Sequence, residues 1–177
     1  MPSADRSSRA LTWVASGWQL GGLYKASSGQ PFTPILGGDP AGQKLDETSQ
    51  LPDRLAGPGC DILTNVGNPN QYIKTQCLAF PGVNKWGNLG RNTLVGPGMS
   101  KLDVSVFKNN RIRRISESFN AQFRAEFFNV LNRANFASPT DHSTVFDQSG
   151  NPISSAGLIT STQTTSRQIQ FAIKIIW

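Results

Sequence analysis

The strongest pattern in the chain is its final stretch, 167–177, where Ile169, Phe171, Ile173, Ile175 and Trp177 alternate with Gln168, Gln170, Ala172 and Lys174. Successive side chains of an extended backbone point to opposite sides, so this period of two predicts a half-buried strand, with Ile176 the only apolar exception. Residues 118–129 repeat the pattern: Phe119, Ala121, Phe123, Ala125 and Phe127 stand against Asn120, Gln122, Arg124, Glu126 and Phe128. Wound at about 3.6 residues per turn, the same apolar residues would scatter around a helix, so the strand is preferred. Leu102, Val104 and Val106 against Asp103, Ser105 and Phe107 predict a strand over 100–108. Trp18, Leu20 and Tyr24 against Gln19 and Lys25 predict another over 17–26, where Gly21 and Gly22 suit strong curvature. Residues 9–14 fit either a short extra strand or a connection.

The connections between these strands alternate in length. Residues 27–99 form a long one rich in Gly, Pro, Asn and Asp, 109–117 a short one, and 130–166 another long one. Long outer loops and short periplasmic turns are the alternation of an outer-membrane barrel. A compact soluble domain seldom keeps structureless loops of such length. Strand length agrees as well: about ten residues rising roughly 3.3 Å each and tilted about 45° climb near 23 Å, close to the roughly 25 Å apolar band of such barrels. Antiparallel order sends the last strand down to the periplasm, and puts Tyr24 and the basic turn near opposite membrane interfaces.

Composition supports a β-rich chain with polar loops, since only 16% of residues are charged while Gly (17) and Pro (11) are plentiful. A net charge of +6 raises the question of nucleic acid. The only dense basic run is 108–114, with Arg111, Arg113 and Arg114, whereas phosphate recognition spreads positive charge over a whole face. No nucleic-acid partner is expected, and the run is read as a solvated or headgroup-facing turn. Cys60 and Cys77 lack the four-ligand spacing of zinc; in an oxidising compartment they would close a disulfide across the first long loop, and in a reducing one stay two unrelated thiols. No apolar run approaches the length of a transmembrane helix. Residues 1–9 lack the apolar core of an export signal, so the strand pattern implies that export is directed from upstream of Met1.

Candidate chemistry is sparse. Asp141, His142 and Ser143 are the residue types of a hydrolase triad, but neighbours on one loop cannot form a relay that needs convergence in space. Gly87, Gly90, Gly96 and Gly98 lack the strand–loop–helix context of a phosphate loop and read as turn residues, Pro97 helping to start the next strand. No catalytic residue, metal or cofactor is expected.

Four segments carry a family resemblance: GWQLGGLYKASSGQPFTP at 17–34, KWGNLGRNTLVGPGMSKLDVSVFKN at 85–109, FNAQFRAEFFNVLNRANFASP at 119–139 and SRQIQFAIKIIW at 166–177. They resemble the C-terminal barrel region of TonB-dependent receptors, in particular the Oar-like group that carries an N-terminal carboxypeptidase-regulatory-like domain. The middle two are the specific ones; the last is a general outer-membrane signal. The resemblance implies a barrel of about 22 strands with an internal plug, energised by the TonB system and moving a bulky ligand across the outer membrane. No plug, TonB-contacting segment or regulatory domain is recognisable in these residues.

The expected fold is therefore all-β: a fragment of a transmembrane antiparallel β-barrel, with four to five strands in an open curved sheet as an isolated chain. Residues 1–16 are a connection and 17–177 the C-terminal part of the barrel of a Gram-negative outer membrane, with lipid on one face. On the other, Asp103, Ser105, Asn120, Gln122, Arg124, Glu126, Gln168, Gln170 and Lys174 face the lumen, Arg124 and Glu126 as an ion pair. Ile169, Phe171, Ile173, Ile175 and Trp177 resemble the C-terminal signal read by the β-barrel assembly machinery; an exposed last strand can pair edge to edge with such a partner. The expected partners are outer-membrane lipid, the assembly machinery, and the absent N-terminal strands and plug, with TonB acting through them. The alternative is a secreted β-sandwich binding module, which would enclose Phe123, Phe127, Phe171 and Ile173 against a second sheet.

Overall fold

The computed structural model describes residues 11–43 and 50–177, so the first ten residues of the expected N-terminal connection lie outside the described residues. In chain order the strands are β1 (Trp18–Ser27), β2 (Pro31–Phe32), β3 (Ile35–Leu36), β4 (Asp53–Arg54), β5 (Leu78–Ala79), β6 (Leu94–Val95), β7 (Met99–Arg111), β8 (Asn120–Phe128), β9 (Thr144–Phe146) and β10 (Gln168–Ile176). They belong to two compact units. Among the described residues, one comprises 11–25, 100–134 and 165–177, the other 26–43, 50–99 and 135–164.

The first unit is a four-stranded sheet in the order β1-β7-β8-β10. β8 pairs antiparallel with both neighbours, Val106↔Ala125 on one side and Phe171↔Ala125 on the other. The Asn109 amide donates to the Gly17 carbonyl at 2.9 Å while Tyr24 Oη meets Ser100 Oγ at 3.2 Å, so β1 runs antiparallel to β7. The chain is all-β, and the sheet is open, with β1 and β10 at its edges. β7 continues to Arg111, past the expected end at 108, because its hydrogen-bonding partner β8 continues to pair as far as Asn120. The turn is thereby confined to 112–119, closed by the Ile112 amide donating to the Phe119 carbonyl at 3.1 Å. Four of the seven residues of the run expected in a basic turn, Lys108 to Arg111, are strand instead.

Residues directly opposite in an antiparallel ladder share a face. One face therefore carries Val104, Val106 and Lys108, then Ala121, Phe123, Ala125 and Phe127, then Ile169, Phe171, Ile173 and Ile175. Phe123 and Phe171 stack across it with ring centroids 6.1 Å apart. On the edge strand the four apolar residues of this face are 53–72% exposed. A β-sandwich would have enclosed Phe171 and Ile173; their exposure (66% and 72%) removes that alternative.

The second unit corrects the expectation of structureless loops. Segments of the two long connections fold together around Phe32, Leu36, Tyr72, Ile73, Leu94 and Val145, all buried. β3 from the first connection pairs in parallel with β9 from the second, β2 pairs with β6, and β4 with β5. Cys60 and Cys77 are joined as a disulfide, Cα–Cα 5.4 Å, around a loop stitched by an isolated bridge between Thr64 and Ile73. Burial raises the Tyr72 phenol above its ordinary value, Thr64 partly opposing the shift, and its hydroxyl donates to the Val95 carbonyl at 2.9 Å. Gly157 has φ +78, and a Cβ there would collide with the Ile73 backbone, so only glycine suits this crossing.

Candidate functional site

The polar face of the sheet is the candidate site. The register sets Ser105 opposite Glu126 and Glu126 opposite Gln170, then Gln122 opposite Lys174 and Asn120 opposite Arg111. Asp103, Ser105, Asn120, Gln122, Arg124, Glu126, Gln168, Gln170 and Lys174 thus all lie on one side of the sheet. Lys101 pairs with Asp103 at 3.1 Å, and Asn109 Oδ1 accepts from Gln122 at 2.9 Å and Asn120 at 3.3 Å. A groove of about 360 Å³ opens where Gly21 and Gly22 bear no side chain, walled by Leu23, Asp103, Ser105, Glu126 and Phe128. A Cβ on Gly21 would approach Ser105 Oγ to 2.7 Å, so a larger residue there would make that hydroxyl turn away.

Arg124 does not pair with Glu126. Its guanidinium lies over the Phe107 ring, 4.6 Å from the centroid, and its Nε is buried with no hydrogen-bond partner. The aromatic ring directly opposite on β7 holds the cation away from its neighbour. Phe107 and Phe128, which break the polar alternation of this face, each sit under a cation, the second under Lys101 at 5.7 Å.

Lys108 breaks the apolar face and is the residue that sequence reasoning missed most plainly. It is only 9% exposed. Residues 11–15 form a single helical turn and not a strand, and its last carbonyls have no partner within the turn. Lys108 Nζ donates to the carbonyls of Trp13 (2.9 Å), Val14 (2.8 Å) and Ser16 (3.0 Å). It also lies 5.3 Å from the Trp13 ring and 5.0 Å from the Trp18 ring, and Trp18 Nε1 donates to the Val14 carbonyl. A cation beside apolar side chains is thus satisfied by a helix C-terminus and two aromatic faces.

Asn129 organises the opposite end of the sheet. It is 1% exposed with φ +51, a left-handed conformation asparagine tolerates. Its Nδ2 donates to the carbonyls of Arg133 (3.0 Å) and Thr165 (3.1 Å), and its Oδ1 accepts from the Arg133 amide (3.1 Å). Its own amide donates to Asp103 Oδ1 at 2.7 Å, and Asn132 Oδ1 accepts the Arg167 amide at 3.1 Å. The side chains end β8 by holding the chain that enters β10. The alternation of the segment gave no sign of this, because the asparagines act after the strand has ended.

The C-terminal residues Ile169, Phe171, Ile173 and Ile175 lie on the edge strand β10, and Trp177, 86% exposed, follows it. Thr140–His142 form a 3-10 turn capped by Ser143, whose Oγ donates to the Thr140 carbonyl at 2.8 Å. Among the described residues, no group of three or more His, Cys, Asp or Glu could hold a metal ion.

No curated protein and no solved structure matches this chain. A family model described as an outer membrane beta barrel domain matches residues 2–170, nearly the whole chain. With one apolar and one polar face on a sheet of antiparallel strands, the chain belongs to that outer membrane beta barrel domain family and resides in the outer membrane of Gram-negative bacteria.

Proposed function

We propose that this chain forms part of the barrel wall of a TonB-dependent receptor of the Oar-like group, with its apolar face against lipid and its polar face lining the lumen through which a bulky ligand is taken up. The observation that carries the reading is the pairing of β7 with β8, because these strands hold the family-like segments and segregate polar from apolar residues. Four strands do not close, since the smallest such barrels have eight. The remaining strands, the plug and the contact with TonB are accordingly supplied by other polypeptide sequence. The wall performs no chemistry of its own. Energy-coupled uptake tests this: with the gene in its chromosomal setting, growth on ferric siderophores, cobalamin, glycans or peptides as limiting nutrient should fail equally without the gene and without TonB. Gene-dependent growth that survives loss of TonB rejects the receptor.

The terminal strand, on this reading, is also what the assembly machinery engages. Ile169 to Ile175 present apolar side chains on the edge of the sheet and Trp177 closes the signal. Deleting Trp177 from the receptor should slow insertion several-fold, measured as the rate at which newly made protein becomes protease-protected in the outer membrane. Unchanged insertion kinetics would show that Trp177 is not read.

A further inference from the structure

Five cations stand on the polar face, Lys25, Lys101, Arg111, Arg124 and Lys174, against two acids, Asp103 and Glu126. Asp103 is already neutralised by Lys101. Arg124 is the cation best prepared for a partner: the Phe107 ring fixes its plane, Glu126 does not engage it, and its buried Nε donor is unmet. A buried unpaired donor is unfavourable, and a guanidinium held in one plane is arranged for bidentate carboxylate recognition.

We propose that the polar face is a docking surface for an acidic polypeptide segment, with Arg124 receiving one of its carboxylates. Charge complementarity favours a polypeptide over a small anion. Lys101 and Arg111 stand roughly 30 Å apart along β7, so a small anion reaches one cation where an extended segment reaches several. Between the cations stand amides able to pair with a main chain, among them Asn120, whose buried Oδ1 also lacks a partner. This rests on the polar face being the lumen side.

The test uses the whole chain folded in detergent micelles, as an open sheet cannot be expected to span a bilayer, and a fluorescein-labelled deca-glutamate peptide, followed by anisotropy at low salt. Arg124→Gln should weaken binding about tenfold, the loss of one charge-assisted pair. Arg124→Lys should recover only part of it, and Arg91→Gln, which removes the same charge from the other unit, should bind as the parent chain does. Equal binding by Arg124→Gln and the parent, or no binding by the folded parent chain, overturns the proposal. Citrate competing as well as the peptide at equal carboxylate concentration overturns the polypeptide as occupant. Bimane labels at Ser105→Cys and Ile173→Cys, challenged with spin-labelled detergent, check the orientation separately: quenching at 105 and not at 173 overturns the lumen assignment itself.

Discussion

Asn129→Ala is expected to lower the stability of the sheet by about 4 kcal/mol. Alanine leaves two carbonyls and one amide unmet in a site that is 1% exposed, at about 1 kcal/mol or more each, and adds about 1 kcal/mol for holding a Cβ-bearing residue of low left-handed propensity at φ +51. Asn129→Gly separates the two contributions. It relieves the backbone while losing the same hydrogen bonds, so it should recover about 1 kcal/mol and no more. Urea midpoints in detergent micelles measure both, and an alanine variant within about 1 kcal/mol of the parent would mean that water replaces the asparagine. The position also explains why the segment 119–139 was legible as a family pattern but not as a mechanism. The strand alternation ends at Phe128, and the partners of Asn129, Arg133 and Thr165, lie on both sides of a long connection.

Lys108→Met is expected to destabilise the chain by about 2 kcal/mol, and here the sign is the test. If Lys108 merely faced lipid near an interface, replacing it with methionine would be favourable by up to about 1 kcal/mol. The structure instead gives its ammonium three carbonyls and two indole faces, and hydrogen bonds to a charged group contribute about 1.5–3 kcal/mol. Losing the set should outweigh the gain in apolarity, release the 11–15 turn, and be seen twice: as a lower urea midpoint and as a red shift of tryptophan emission from Trp13 and Trp18. Greater stability with unchanged emission would return Lys108 to the role of an ordinary snorkelling side chain.

These two residues mark the boundary of what local pattern conveys. The four long strands were legible because a face half in contact with an apolar phase imposes a period of two. The same logic located all nine residues of the polar face on one side, and the register agrees. It failed where strands are two or three residues long, as in the second unit, because Phe32, Ile73 and Val145 meet across separations that leave no periodic trace. Lys108 looked like part of a solvated turn because its partners lie more than ninety positions away. Arg124 and Glu126 looked like an ion pair because spacing along one strand says nothing about an aromatic ring on the next.

The parallel pairing of β3 with β9 has a consequence for the order of events in biogenesis. Ile35 and Leu36 precede β7, whereas Thr144 and Phe146 follow β8. An antiparallel sheet delivers both connections to the same end only after β7 and β8 have formed their hairpin. The small core that holds Leu36 and Val145 therefore forms no earlier than that hairpin, so a conformational antibody against it would report a paired β7 and β8 and stay silent on species in which they are still apart.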